Sequence, residues 1–179
     1  MEIDTTILIS ELRQRKSAAC QQLLATYGPM VFRMVQRIVP LREDAEEVYQ
    51  DVFVKALRGI ECYNPKQASL ATWLNSIAYH ESLNFIRGKS PVIVLMDDHE
   101  LGTNLLEAPD EEPQDEQTIQ QLEQALEKLP PHEQAIVSMF YYDNMSLADI
   151  AYVTGSITST VGSQLSRIRK KLYRIIKTL

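Results

Sequence analysis

Cysteine is scarce in this sequence, and long apolar segments are missing. The two cysteines, Cys20 and Cys62, are too few and too far apart to form a disulfide framework or a CxxC metal site. Both lie beside apolar helical positions, so we expect buried free thiols in a reducing cytoplasm. No apolar run approaches the roughly 20 residues that a membrane helix needs, and the amino terminus lacks a signal-peptide pattern. We therefore expect a cytoplasmic protein without membrane insertion.

Motifs of the common enzyme classes are also missing. The sequence contains no GxSxG, no P-loop, no HExxH and no GxGxxG. The stretch DDHE at 97–100 is the one cluster of metal-ligating residue types, but adjacent residues in an acidic segment do not converge on one ion. The sequence therefore predicts no catalytic residue, no metal and no cofactor, so we do not expect an enzyme.

Positive net charge is missing from the chain as a whole but not from its two ends. The 179 residues have a formal net charge of −6 and a pI near 5.1. Residues 91–128 hold 11 acidic residues and one lysine, whereas residues 129–179 hold 6 basic and 3 acidic residues. Because nucleic-acid affinity depends on local phosphate contacts, the basic carboxyl-terminal part can bind DNA despite the acidic total.

Helical periodicity dominates what the sequence does contain, and it predicts an all-α fold of two small domains joined by an acidic linker. We expect a helical domain over residues 1–91 and a helix-turn-helix domain over residues 117–179. Between them, residues 92–116 form the linker: nine acidic residues and two prolines fall in 97–116, a composition typical of a solvated connector. In the first domain we expect one helix to begin at Ser17 and to stop at the breaker pair Gly28-Pro29.

The clearest helix of the first domain is DAEEVYQDVFVKAL, which begins at Asp44. Its apolar residues recur at i, i+3, i+4 and i+7, which predicts one buried stripe. Asp44 can cap the helix, with Glu47 three residues later. The face opposite the stripe carries Glu47, Gln50 and Asp51, which remain available for a partner.

A second surface of the first domain mixes aromatic and basic side chains. The segment CYNPKQASLATWLNSIAYHESLNFIRGK, which includes a helix capped at Ser69, combines aromatic rings with cations, a mixture suited to unstacked single-stranded bases. The alternative is that each aromatic residue lies in the core, because Trp73 sits at core spacing. The candidate contacts are Tyr63, Lys66, His80, Asn84 and Arg87.

The carboxyl-terminal domain has the pattern of a helix-turn-helix. Ser146 and Asp149 form a capping box for a short helix, Thr154-Gly155 turns the chain, and a longer helix follows from about 159 to 177. Small polar residues on its outer face can reach base edges, and the basic residues beyond them suit phosphates. The alternative is an αα corner whose basic face is only solvated. The outer face consists of Thr160, Ser163, Gln164, Arg167, Lys170, Lys171 and Arg174.

These motifs, in this order, resemble bacterial RNA polymerase sigma factors of the extracytoplasmic-function (ECF) group. DAEEVYQDVFVKAL resembles the helix that docks on the clamp helices of the polymerase β′ subunit. TWLNSIAYHESLNFIR is similar to the segment that opens and reads the −10 element. LPPHEQAIVSMFYYDNMSLADIAYVTGSITSTVGSQLSRIRKKL is similar to the domain that reads the −35 element. The resemblance covers most of the chain, from about Ser17 to Ile176.

The resemblance implies partners and site residues. The partners would be core RNA polymerase through its β′ clamp and β flap, promoter DNA and an anti-sigma factor. Polymerase contacts would be made by Asp44, Glu47, Gln50 and Asp51. Contacts with the −10 element would be made by Tyr63, Lys66, His80, Asn84 and Arg87. Contacts with the −35 element would be made by Thr160, Ser163, Gln164, Arg167, Lys170 and Lys171. The chain departs from the family pattern at four positions. His80 replaces Asn, Asn84 replaces Asp, and Gly162 and Gln164 stand where basic residues are common.

Two other functions fit part of the sequence. A stand-alone helix-turn-helix regulator that binds duplex DNA explains Ser146–Leu172 but leaves the Gln50 and Asp51 face without a purpose. A protein-binding helical adaptor becomes the better hypothesis only if Gly162 and Gln164 abolish DNA reading. Co-purification with core polymerase distinguishes the sigma factor from both.

Overall fold

The computed structural model describes residues 4–89 and 116–178. Within those ranges the chain is helical and contains no strand, which confirms the all-α prediction. No helix there is both long and apolar enough to cross a membrane. In chain order the elements are α1 (Thr5–Arg13), α2 (Ser17–Ile38), α3 (Arg42–Gly59), a 3-10 turn (Ile60–Cys62), α4 (Leu70–Lys89), α5 (Glu116–Glu127), α6 (Pro131–Tyr141), α7 (Leu147–Thr154) and α8 (Thr158–Ile176).

Helix α2 runs straight through the predicted breaker, so the expected stop at Gly28-Pro29 is wrong. A proline inside a helix removes one backbone hydrogen bond and crowds the preceding turn. Packing offsets that cost here, because α2 is held against both α3 and α4. Gly28 is buried, and a Cβ at this position would lie 2.7 Å from the Tyr49 hydroxyl, so the Tyr49 side chain would have to shift. The tertiary contact therefore overrides the local signal.

Helix α3 has the predicted stripe but a different beginning. Ala45, Val48 and Val52 are buried, and Tyr49 packs edge-on against neighbouring rings. The helix begins at Arg42 with Leu41 at the cap position, so the predicted Asp44 cap is wrong. Asp44 lies instead in the first turn, where an acidic residue suits the positive end of the helix dipole.

The cysteines differ from each other in burial. Cys20 on α2 is partly buried against the core, whereas Cys62 in the 3-10 turn is exposed. The expectation of two buried thiols is therefore wrong for Cys62, which lies at the end of the 3-10 turn.

Helices α5 to α8 form the carboxyl-terminal module, and its helix-turn-helix follows the predicted pattern. The Ser146 side chain accepts a hydrogen bond from the Asp149 backbone N–H and caps α7. Gly155 ends α7 with φ +70°, a backbone conformation that glycine adopts without strain. Helix α8 then buries the predicted stripe of Val161, Leu165, Ile168 and Leu172.

The two modules touch, which the sequence did not predict. Helix α4 of the first module packs against α7 of the second, and α2 packs against α6. Buried apolar side chains of both modules belong to one continuous cluster. Of the predicted linker at 92–116, Glu116 is the first residue of α5, and the rest lies outside the described residues.

Candidate nucleic-acid and polymerase interfaces

The outer face of α3 presents three of the four predicted polymerase contacts to solvent. Glu47, Gln50 and Asp51 are exposed on the side away from the buried stripe. Asp44 is half-buried, and its carboxylate accepts a hydrogen bond from Lys89 Nζ at 2.7 Å. The structure thus places three of these polar side chains on one face, whereas the fourth, Asp44, forms an ion pair with Lys89.

Val54 lies on the same face, and sequence reasoning missed it. It follows Gln50 by four positions and Asp51 by three, so all three project from one side of the helix. Its side chain is 45% exposed although it is β-branched and apolar. The sequence did contain a signal for this exposure. Val54 falls outside the i, i+3, i+4 stripe that the other valines of α3 follow, so helical periodicity places it on the exposed side of the helix. An exposed valine among carboxylate and amide groups gives this face an apolar centre.

Tyr63, a predicted base-stacking residue, lies in the core instead. It is 4% exposed, and its hydroxyl donates a hydrogen bond to the Ala68 carbonyl at 3.0 Å. Its ring packs against Trp73 at 5.2 Å between centroids. Burial raises the pKa of the phenol above its usual value of 10.0, with smaller contributions from neighbouring tyrosines. Tyr63 therefore lies beneath this surface as a core residue, in agreement with the alternative interpretation that the aromatic residues are buried.

Four other members of the same set remain at the surface. Lys66 lies in the turn before α4, and His80, Asn84 and Arg87 follow one another along α4 at spacings of four and three. That spacing places the last three on one face of the helix. Phe85 is partly buried, with Lys89 Nζ 4.6 Å from its ring centre.

A shallow cleft of about 540 Å³ opens beside His80, and its cations were not predicted as site residues. Lys55 and Arg58 come from α3, whereas Trp73 and His80 come from α4. Lys55 donates a hydrogen bond to Glu81 Oε1 at 2.5 Å. The Arg58 guanidinium is the second basic group that lines the cleft. The cleft combines an aromatic ring, an imidazole and cations, which are the groups that hold an unstacked base and its phosphate.

The surroundings of His80 shift its pKa. Much of its side chain is exposed, but one edge meets α7, where the imidazole hydrogen-bonds with the backbone of Val153. Burial of that edge lowers the pKa of His80 below 6.5, and the Arg87 charge lowers it further. The Val153 hydrogen bond and the Glu81 carboxylate oppose this shift. The net direction favours a neutral imidazole at pH 7.

The predicted small polar contacts of α8 are less accessible than the sequence indicated. Ser163 is exposed, and its hydroxyl donates to the Ser159 carbonyl at 3.0 Å. Thr160 and Gln164 are only partly exposed. The side-chain oxygen of Gln164 is buried without a hydrogen-bond partner within the described part of the chain. To contact DNA, this amide has to rotate outward.

The basic part of α8 remains at the surface but is already engaged. Arg167 is exposed and Lys170 is partly exposed, and each takes part in an interaction within the protein. Lys171 Nζ lies 2.8 Å from Glu133 Oε2 of α6. A phosphate that binds Lys171 therefore competes with an internal carboxylate.

Family models of known proteins match both modules. Residues 23–91 match sigma-70 region 2, and residues 119–172 match sigma-70 region 4. The chain belongs to the sigma-70 family. The region 2 match spans α3 and α4, and the region 4 match spans α7 and most of α8. The protein is therefore a transcription initiation factor and not a stand-alone helix-turn-helix regulator.

Curated relatives assign it to the ECF group. It is 27% identical to the ECF RNA polymerase sigma-E factor of Haemophilus influenzae, over 96% of this chain and 95% of that one. It is 26% identical to the ECF sigma factor RpoE of Cereibacter sphaeroides, over 96% and 93% of the two chains. With the ECF sigma factor SigE of Mycolicibacterium smegmatis the identity is 26%, but the match spans only 59% of that longer chain.

Solved structures share the fold. CnrH, in its complex with the cytosolic domain of CnrY, superposes with a TM-score of 0.67 at 19% identity, over 96% of both chains. RpoE of Bartonella quintana, in complex with the anti-sigma factor NepR, gives a TM-score of 0.62 at 20% identity, over 88% of this chain and 96% of that one.

Proposed function

We propose that the two modules of this ECF sigma factor divide the reading of a promoter. Residues 1–91 bind core polymerase and the −10 element, residues 117–179 bind the −35 element, and residues 92–116 connect the two. The observation that carries this division is the difference between the two surfaces. One combines rings and cations around a cleft, and the other is the outer face of a helix-turn-helix.

The −10 surface consists of Lys66, His80, Asn84 and Arg87 together with the cleft beside them. Stacking on aromatic rings and contact with cations favour single-stranded over paired bases, since only an unstacked base exposes its face. The amide of Asn84 can read a base edge, while Arg87 suits a phosphate or a base plane. Tyr63 is not included, because its ring lies in the core.

The −35 surface is the outer face of α8. A helix of this length fits the major groove, where side chains near its amino-terminal end reach base edges. Ser163 and an outward-rotated Gln164 would make those contacts, and Arg167, Lys170 and Lys171 would bind phosphates. Because each of these three cations already interacts with another group of the protein, we expect modest −35 affinity from this module alone.

Core polymerase would dock on α3 through Glu47, Gln50, Asp51 and Val54. This face presents acceptors around an apolar centre, which suits a basic or amide-bearing helix pair such as the β′ clamp. The β flap would bind the carboxyl-terminal module. We further propose an anti-sigma factor as a partner. Two proteins of the same fold were solved in complexes, RpoE with the anti-sigma factor NepR and CnrH with the cytosolic domain of CnrY. The site of action is the cytoplasm, where RNA polymerase works.

The test is reconstitution with core RNA polymerase from the host organism. The full-length protein should co-elute with core and should direct initiation from a defined subset of genomic fragments that core alone does not transcribe. Run-off products would then give the −10 and −35 sequences. A chain that binds promoter fragments tightly but never associates with core would overturn the proposal.

A further inference from the structure

The segment that joins the 3-10 turn to α4, residues 63–69, is closed by its own hydrogen bonds. At its start, the buried Tyr63 hydroxyl donates a hydrogen bond to the Ala68 carbonyl at 3.0 Å, so one side chain spans the segment. Between these ends, the Lys66 backbone N–H donates to Asn64 Oδ1 at 3.0 Å, and both side chains are exposed. The 63–69 segment therefore presents Lys66 to solvent from a defined backbone.

The last residue of α1 holds this segment from outside. Arg13 Nη2 donates a hydrogen bond to the Tyr63 carbonyl at 3.1 Å, although the two residues are 50 positions apart in the chain. Hydrogen bonds from a guanidinium are stronger than those between neutral groups. The bond reaches the backbone of the same residue whose hydroxyl closes the 63–69 segment, so a displacement of Tyr63 would move the whole segment.

Helix α1 is firmly attached to the rest of the amino-terminal module. Its residues Leu8, Ile9 and Leu12 are buried, and the helix packs against both α2 and the 3-10 turn. The region 2 match begins at residue 23, so α1 and Arg13 lie outside the part of the chain that the family model describes. Because its apolar face is anchored in the core, α1 provides a fixed support from which Arg13 reaches the 63–69 segment.

Arg13 also forms an ion pair with Glu61. Its Nε lies 3.9 Å from Glu61 Oε2, and the two side chains are 40% and 67% exposed. Exposed ion pairs contribute little, because water screens the charges and both side chains lose rotamer freedom. The hydrogen bond to the Tyr63 carbonyl is shorter and partly buried, so it is the contact that holds the segment.

We propose that Arg13 is a positioning residue for the −10 surface: it fixes the 63–69 segment and thereby the place at which Lys66 meets the promoter. Such preorganisation strengthens binding, because a segment that already has its bound shape has less ordering entropy to lose. The inference rests on the proposed function, since it assumes that Lys66 contacts the −10 element. Helix α1 then contributes to promoter reading without touching DNA.

The single tryptophan of the chain reports on this segment in the absence of DNA. The Trp73 ring packs against the Tyr63 ring, with 5.2 Å between their centroids. In the free protein, Arg13→Ala should increase acrylamide quenching of the tryptophan fluorescence, because Tyr63 is held less firmly. Arg13→Lys keeps a cation that can donate to the same carbonyl, so its quenching should stay closer to that of wild type. Glu61→Gln removes only the charge of the exposed ion pair and should leave the quenching unchanged. Equal quenching in Arg13→Ala and wild type would overturn the proposal.

The binding test uses holoenzyme reconstituted from core polymerase and the full chain. The probe is a single-stranded oligonucleotide that carries the −10 sequence obtained from the run-off products. Arg13→Ala should weaken binding of this probe about three- to tenfold, and Arg13→Lys should restore most of the loss. The matched control is Lys16→Ala, which removes a cation just beyond α1 together with its exposed pair to Glu11, and it should bind the probe like wild type. Affinity for core should be the same in all of these variants.

A double-mutant cycle with Lys66 separates positioning from a direct contact between Arg13 and DNA. If Arg13 acts through Lys66, Arg13→Ala should lose most of its effect in the Lys66→Ala background. If Arg13 itself touches DNA, the two effects add, and that result would overturn the positioning role. A Lys66→Ala variant that binds the probe as tightly as wild type would contradict the proposed −10 surface and, with it, the role of Arg13. Weaker binding by Lys66→Ala but not by Arg13→Ala would overturn the role of Arg13 alone.

Discussion

The Arg37 guanidinium lies 2.6 Å from the Asp143 carboxylate, although the two residues are 106 positions apart in the chain. Arg37 belongs to the last turn of α2 in the amino-terminal module, and Asp143 follows α6 in the helix-turn-helix module. The pair therefore links the two modules, and because the guanidinium contacts both carboxylate oxygens, it fixes their relative orientation as well as their distance.

Replacement of the polar docking face should weaken polymerase binding without unfolding the protein. The double change Gln50→Ala and Asp51→Ala removes two exposed side chains, so the free energy of unfolding should shift by less than about 0.5 kcal/mol for each change. Affinity for core should fall about tenfold, equivalent to about 1.4 kcal/mol, as measured by fluorescence anisotropy. The control is Gln21→Ala with Gln22→Ala, two exposed residues of α2. Equal core affinities of the two double variants would exclude this face.

Acidification should weaken the contact between α4 and α7. The pKa of His80 is lowered where its ring packs on α7, chiefly by burial, whereas once the two helices separate it should return towards 6.5. The separated form therefore binds more protons, so the contact loses stability as the pH falls below about 6.5 and is unaffected above it. The groups around His80 are Arg87 and Glu81 on α4, Lys55 and Arg58 on α3, and the Val153 backbone on α7.

The measurement is the radius of gyration of the free protein between about pH 7.5 and 5.5. His80→Asn should reduce the expansion at low pH, because its amide does not titrate. His132 on α6 is the matched comparison, since burial also lowers its pKa, with a further lowering by Lys171 and Arg87. If His132→Asn removes the response and His80→Asn leaves it intact, the titrating group is not at the α4–α7 contact.

An added cation on α8 should strengthen promoter binding and make it more sensitive to salt. Gln164→Arg removes a side-chain oxygen that has no hydrogen-bond partner within the described part of the chain, and it places a charge on α8. In holoenzyme on its promoter, the log–log salt slope should steepen by about 0.9, the contribution of one phosphate. Gln22→Arg adds the same charge far from α8 and should leave the slope unchanged. A slope that does not respond to Gln164→Arg would place this position away from the DNA backbone.

The glycines of the helix-turn-helix should respond in opposite directions to alanine. A Cβ at Gly162 meets no atom within 4 Å, and alanine favours a helix over glycine by about 1 kcal/mol, so Gly162→Ala should stabilise the protein. Gly155 has φ +70°, where a side chain is strained by about 1–2 kcal/mol, so Gly155→Ala should destabilise it. Urea unfolding of the full chain measures both. Stabilisation by both substitutions would contradict the turn geometry.

Patterns within a few residues sufficed for most of the local structure. The stripe Val161, Leu165 and Ile168 on α8, the Ser146 cap and the Gly155 turn depend on neighbours within one or two helical turns. Such signals act wherever the segment packs, because they arise from helix geometry and backbone preference. The same holds for the exposed face of α3, since residues off the buried stripe point outward by periodicity alone.

The tertiary structure decided what local pattern does not encode. Helix α2 continues through Pro29 because packing outweighs a lost hydrogen bond, and Tyr63 is buried because α4 covers it. Asp149, which sequence reasoning assigned to a cap, also accepts a hydrogen bond from Thr72, 77 positions earlier. Helical periodicity predicts which side of a helix is buried, but it does not predict which distant helix packs against that side. The contact between the modules therefore became visible only in three dimensions.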